Sequence, residues 1–146
     1  GQTEAAWRKL SDMERDVLRQ IAREEDPALG VSHQAHAIGA LGQMRDPGSL
    51  LLLTEIARTP RADDRLKIAA VHSLGEIGGE EARSVLQAML KAKAPEVRAQ
   101  AARALAKAGT AADLSALDAM GRGDQSYAGA IARSALDLLR TRLNRS

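Results

Sequence analysis

Cysteine and phenylalanine are missing from this chain, tryptophan and tyrosine occur once each as Trp7 and Tyr127, and only four prolines interrupt it. Without cysteine there is no disulfide framework, no thiolate zinc site and no cysteine nucleophile, and the redox compartment stays open. So few aromatics leave little on which unstacked or flipped bases could rest, which argues against base excision and single-strand binding. Long hydrophobic runs are also lacking. The longest strongly apolar stretch is the four leucines at 50–53, far below the roughly 20 residues that span a bilayer, and the chain reads as soluble. Residue 1 is glycine rather than methionine, so the chain reads as trimmed or processed and its compartment is left open, with the cytoplasm favoured.

Neither sign of charge dominates, with a formal net charge of +2. The distribution is less even. Beyond Val97, Arg98, Arg103, Lys107, Arg122, Arg133, Arg140, Arg142 and Arg145 face only Asp113, Asp118, Asp124 and Asp137, whereas the first 30 residues lean acidic. Such asymmetry can orient a charged partner, although solvated helix faces produce it too.

What the chain does have is alanine, leucine, isoleucine, valine and methionine in a repeating order. Leu41, Leu74, Leu105 and Leu136 follow one another at intervals of 33, 31 and 31 residues. Four residues before each stand Ala37, Ala70, Ala101 and Ala132; one before stand Ala40, Ser73, Ala104 and Ala135; three after stand Met44, Ile77, Ala108 and Leu139. These offsets trace one face of an α-helix. A second set, Leu18, Leu53, Leu86 and Leu117, each followed three residues on by Ile21, Ile56, Met89 or Met120, lies between the first. Each repeat therefore contains two amphipathic helices, and a fixed period of this length is the signature of stacked units.

Turn chemistry agrees. Asp26-Pro27, Asp46-Pro47, Thr59-Pro60 and Ala94-Pro95 mark helix boundaries. Ser11-x-x-Glu14 and Thr110-x-x-Asp113 have the form of capping boxes. The pattern predicts helices over 3–9, 12–25, 31–44, 48–58, 63–77, 80–92, 96–108, 111–121 and 126–142. Small residues let helix axes approach, and stacking covers the apolar side that one hairpin alone would leave wet.

Leu66-Lys67-Ile68-Ala69-Ala70-Val71-His72-Ser73-Leu74-Gly75-Glu76-Ile77-Gly78 and Val97-Arg98-Ala99-Gln100-Ala101-Ala102-Arg103-Ala104-Leu105-Ala106 resemble HEAT repeats, specifically the short bacterial kind called phycobilisome-lyase HEAT-like. The resemblance covers roughly residues 31–139. With the periodicity it implies an all-α fold: an α-solenoid, or superhelix, of about four HEAT-like helical hairpins with an N-terminal capping helix. The expected organisation is one domain over 1–146, with a cap at 1–10 and repeats at 11–44, 47–77, 79–108 and 110–143. The helix holding Trp7 is expected to fold over the first hairpin as a lid. Arg133 stands in the slot filled by Ile38, Val71 and Ala102, so that face of the last helix is expected to stay uncovered and the stack to stop there.

What the resemblance implies about function is protein–protein scaffolding, which leaves the partner open. In HEAT-type stacks the second helix of each hairpin lines the concave side. On those helices His36, Gln43, His72, Glu76, Gln100, Arg103 and Lys107 lie off the apolar stripe and form the candidate contact set, suited to a protein partner with an acidic or mixed-charge segment. The alternative is nucleic-acid backbone binding through basic residues of the C-terminal half. Leu51 and Leu138, in slots that other repeats fill with polar or small residues, are expected to face outward.

Chemistry is harder to find. There is no Gly-x-Ser-x-Gly elbow, Walker loop, zinc-protease motif or dinucleotide fingerprint. No enzymatic activity and no cofactor are expected, and a chromophore-lyase activity, which the family's name suggests, finds no residue to support it. His33, His36 and His72 could approach one another, but without the His-Glu dipeptides that iron-binding HEAT-type hydroxylases repeat on successive helices no metal is expected. Asp63-Asp64 and Glu80-Glu81 fit helix N-termini, where the dipole favours negative charge.

Overall fold

A computed structural model describes residues 2–23, 30–60 and 62–145. Among these residues there are eight α-helices and no strand. They are α1 (Gln2–Arg23), α2 (Gly30–Gln43), α3 (Leu50–Arg58), α4 (Asp64–Ile77), α5 (Gly79–Met89), α6 (Pro95–Ala108), α7 (Leu114–Gly123) and α8 (Tyr127–Asn144). Short 3-10 turns at Pro47–Ser49 and Ala111–Asp113 lead into α3 and α7. The punctuation seen in the sequence carries out its roles. Pro95 opens α6, Asp63 caps α4 by accepting from the Arg65 amide at 2.8 Å, and Thr110 with Asp113 forms a reciprocal capping box. Gly78 and Gly79 both have positive φ, 71° and 90°, and let α4 turn directly into α5.

Packing is sequential. α1, α3, α5 and α7 each lie against the helix that follows, while α2, α4, α6 and α8 form a continuous inner row in which each contacts the next. The chain is an all-α solenoid. Its interior is the set of residues that the period picked out: Leu41, Leu74 and Leu105 are fully buried, Leu136 nearly so, and Ala37, Ala70, Ala101 and Ala132 sit beside them. In the intervening helices Leu53, Leu86 and Leu117 are fully buried, and Leu18 is partly exposed on α1. Ile38, Val71 and Ala102 are buried, whereas Arg133 in the same slot is exposed and donates to the Gly121 carbonyl at 2.6 Å.

The inner helices approach closely where neither side carries bulk. A Cβ at Gly42 would stand 2.7 Å from Ser73 Cα, and one at Gly75 would stand 2.8 Å from Ala104 Cβ. The Ser73 hydroxyl also donates to the Ile38 carbonyl at 2.8 Å, so the one polar side chain in this seam is satisfied.

Buried or half-buried aspartates tie successive hairpins together. Arg19 of α1 donates to Asp46 at 2.6 and 3.0 Å, Arg83 of α5 to Asp113 at 2.9 Å, and Arg98 of α6 to Asp124 at 2.8 Å. Each carboxylate sits in the turn before a later helix, so each pair joins consecutive units. Burial pushes the Asp46 carboxyl up, but hydrogen bonds from Ser49 and Arg19 and the Arg19 charge outweigh it and lower its pKa. Asp124, bonded by Arg98 and Ser126, is lowered to about 2.

One expectation is corrected. The separate helices over 3–9 and 12–25, and with them a free-standing capping helix, are replaced by the continuous α1, and Ser11 lies inside it rather than capping a new one. Nothing between Lys9 and Asp12 breaks a helix: no Gly or Pro intervenes, and one interior serine costs only about 0.5 kcal/mol. The α1 helix packs against α2 as the first helix of the first hairpin. The Trp7 side chain and the Asp26-Pro27 boundary lie outside the described residues.

Candidate functional site

The second helices of the hairpins are α2, α4, α6 and α8, and their polar residues project from the inner row. Between α4, α6 and α8 they line an open groove of about 670 Å³. His72 and Glu76 come from α4, Gln100, Arg103 and Lys107 from α6, and Leu138 and Arg142 from α8, with Arg145 just past its end. Five of the seven candidate residues therefore share one cavity. His36 and Gln43 are exposed on α2 and do not line it.

The groove floor is held by contacts within α4 and between α4 and α6. Lys107 donates to Glu76 Oε1, His72 Nε2 lies 3.6 Å from the same oxygen, and Gln100 Nε2 lies 3.3 Å from His72 Nδ1. With Gln100 donating, His72 would carry its proton on Nε2 and face the carboxylate with it. The Lys107 bond holds the Glu76 carboxyl below its ordinary range against the opposing effect of burial, and the charges of Lys107, His72 and Arg45 add to the lowering.

The C-terminal arginines reach the groove because α8, at Tyr127–Asn144, outruns α6. Arg142 lies over the end of α6 and donates to the carbonyls of Ala106, at 3.1 Å, and Gly109. A cation there satisfies carbonyls that the helix cannot and meets the negative end of its dipole. The side chains of Arg103 and Arg145 form no ion pair or hydrogen bond with the described residues. Leu138 is 63% exposed at the edge of the cavity, and Leu51, on the outer helix α3, is 73% exposed. Both leucines face outward as their slots indicated. Sequence reasoning had placed Leu138 outside the contact set; its position two residues after a repeat anchor, like Gln43, Glu76 and Lys107, was the signal that puts it in the same line.

Other candidates resolve differently. Arg98 faces Asp124, Ser126 and the carbonyls of Ala92 and Lys93, so it serves the fold rather than an open surface. His33 and His36 are exposed on α2. Among the described residues no group of three or more His, Asp or Glu is gathered as a metal ion requires. No helix among them is long and apolar enough to cross a membrane. Asp63 and Asp64 stand at the start of α4, and Glu80 and Glu81 in the first turn of α5.

Residues 60–137 match the family model for HEAT repeats. No curated protein compared with the chain gives a significant match.

Proposed function

The chain belongs to the HEAT-repeat family, and from that premise we propose that it is a non-catalytic scaffold or adaptor that holds a protein partner against the surface of its second helices. One observation carries this reading. Polar side chains from three successive inner helices converge on one groove, while the leucines that hold those helices together lie beneath it, fully buried. Recognition and stability then rest on different residues, which is what a docking surface on a rigid scaffold requires. The contact set we propose is His72, Glu76, Gln100, Arg103 and Lys107, with His36 and Gln43 as a flanking patch on α2. We further propose a single domain over 1–146, with repeat units at 47–77, 79–108 and 110–143 following a first hairpin made of α1 and α2. The pattern in residues 66–78 and 97–106 supports the finer placement in the short bacterial, phycobilisome-lyase-like branch.

The nucleic-acid alternative rests on the same half of the chain and has fewer cations to draw on. Arg98 is paired with Asp124 and Lys107 with Glu76. Titration with random duplex DNA at low and raised salt separates the readings: steeply salt-dependent binding at micromolar protein would favour nucleic acid.

The test of the scaffold reading is charge reversal in the groove. Arg103→Glu is expected to change stability by less than about 0.5 kcal/mol, since Arg103 is exposed, and to abolish retention of partners purified on the wild-type protein. Retention that survives Arg103→Glu and is lost on reversing Arg122 of α7 would move the docking surface to the outer helices.

A further inference from the structure

The groove between α4, α6 and α8 has a composition that selects among protein partners. Its cations are Arg103, Lys107, Arg142 and Arg145, and its only carboxylate is Glu76. Glu76 is already engaged by Lys107 and His72, so it offers little to a basic ligand. Arg103, on α6, and Arg145, just past the end of α8, carry positive charge that no described carboxylate offsets. The wall between them is apolar. Gly75 and Ala104, buried in the seam between α4 and α6, and half-buried Ala106 form it, and Leu138 stands at the edge with most of its side chain in solvent. In the first three hairpins the slot of Leu138 holds Gln43, Glu76 and Lys107; only beside the arginines does it hold a leucine.

Resting on the reading of this face as a protein-docking surface, we infer that the groove takes a short acidic peptide segment with one apolar side chain, whose carboxylates meet Arg103 and Arg145 and whose apolar group covers Leu138. A guanidinium fork matches a carboxylate in shape as well as charge, and such pairs fix the register of a bound segment. An apolar contact supplies what exposed ion pairs alone do not, since these are individually weak and screened by salt. A phosphodiester chain offers cations the same charge but has no aliphatic group for Leu138, and the lining contains no Phe, Tyr or Trp platform on which successive bases could stack. The volume of about 670 Å³ suits a few residues rather than a folded domain.

The experiment uses the full chain and fluorescent synthetic peptides: one of glutamate and aspartate around a central leucine, one with that leucine replaced by serine, and one with the acids replaced by lysine. A single-stranded DNA oligonucleotide completes the set. The acidic leucine peptide should bind, the serine peptide about tenfold more weakly, as loss of a buried leucine contact implies, and the lysine peptide and the DNA not measurably. Leu138→Gln, which installs the residue of the first hairpin, should erase the difference between the leucine and serine peptides. Arg103→Glu should weaken both acidic peptides by about tenfold or more, and Arg122→Glu, the same charge change on the outer helix α7, should weaken neither. Equal binding of leucine and serine peptides by the wild-type protein overturns the apolar contact. Groove-dependent binding of the lysine peptide overturns the partner chemistry and leaves the docking face standing. Binding that ignores both groove substitutions, or groove-dependent binding of the DNA alone, overturns the docking face as well.

Discussion

The inner row of helices and the outer row are built from the same chain and the same period, yet they pack differently. Along the inner row each helix touches the next from α2 to α8, and glycine meets serine or alanine at the first two seams. On the outer side α5 and α7 do not approach in this way, and a cleft of about 1010 Å³ opens beside them, lined by Ala88, Ala112, Ala116 and Ala119 among others. Small residues alone therefore do not bring helices together. In the inner row they flank fully buried Leu41, Leu74 and Leu105, and burial of those leucines draws the axes in; in the cleft Ala88, Ala112 and Ala119 are exposed, with no such apolar core between them.

The largest break in that comparison is an inner anchor turned into a charge. Leu74 is fully buried between α4 and its neighbours, and Leu74→Asp would place an unpaired carboxylate there. A loss of about 5 kcal/mol or more is expected, enough to abolish the cooperative helical melt followed by circular dichroism.

Next is the seam itself. Gly75→Val would drive a branched side chain into Ala104, whose Cβ lies 2.8 Å from the position of the new Cβ. Overpacking should cost about 2–3 kcal/mol, against which the better helix propensity of valine recovers only a few tenths. Ala119→Leu, which also adds three carbons but in the outer cleft, is expected to stay within about 0.5 kcal/mol in the same denaturant titration. If the two cost the same, inner and outer seams do not differ as described.

A smaller effect comes from the links between hairpins. Asp124 is lowered to about 2 by Arg98 and Ser126, and Asp46 is also lowered. A carboxyl whose folded pKa is depressed stabilises the fold fully above its unfolded value, near 3.9, and loses that contribution as the pH falls through the folded value. The midpoint of thermal unfolding should therefore fall between about pH 4 and pH 2. Arg98→Met should flatten the part of this slope that belongs to Asp124.

Much of the interior was legible because helical periodicity is a local property. Leu41, Leu74, Leu105 and Leu136, with the alanines four residues earlier, announce a buried face whatever the helices pack against, and Arg133 marks a break in the neighbouring slot, exposed where Ile38, Val71 and Ala102 are buried. What escaped depended on residues far apart in sequence. Arg19 with Asp46, Arg83 with Asp113 and Arg98 with Asp124 are separated by 27, 30 and 26 residues, and spacing does not reveal which arginine reaches which turn. The glycine partners of Ser73 and Ala104 went unread for the same reason, since a seam has two sides and only one was noted. At the groove, periodicity told which residues leave the apolar face but not which helices share a cavity. His36 and Gln43 consequently fell outside it, while Arg142 and Arg145 entered through the extra length of α8. Ser11 misled because a capping signal acts only where the preceding residues fail to continue the helix.

The account stands on the inner helices forming an open row, and the absence of cysteine makes that directly measurable. Cysteines introduced at Gln43 and Leu138, equivalent exposed positions on α2 and α8, can carry a pair of spin labels without competing thiols. Three helix-to-helix steps of roughly 8–10 Å each predict a separation of about 25–30 Å by double electron–electron resonance. A distribution centred below about 15 Å would mean that α2 and α8 are neighbours in a closed bundle, and would contradict the row.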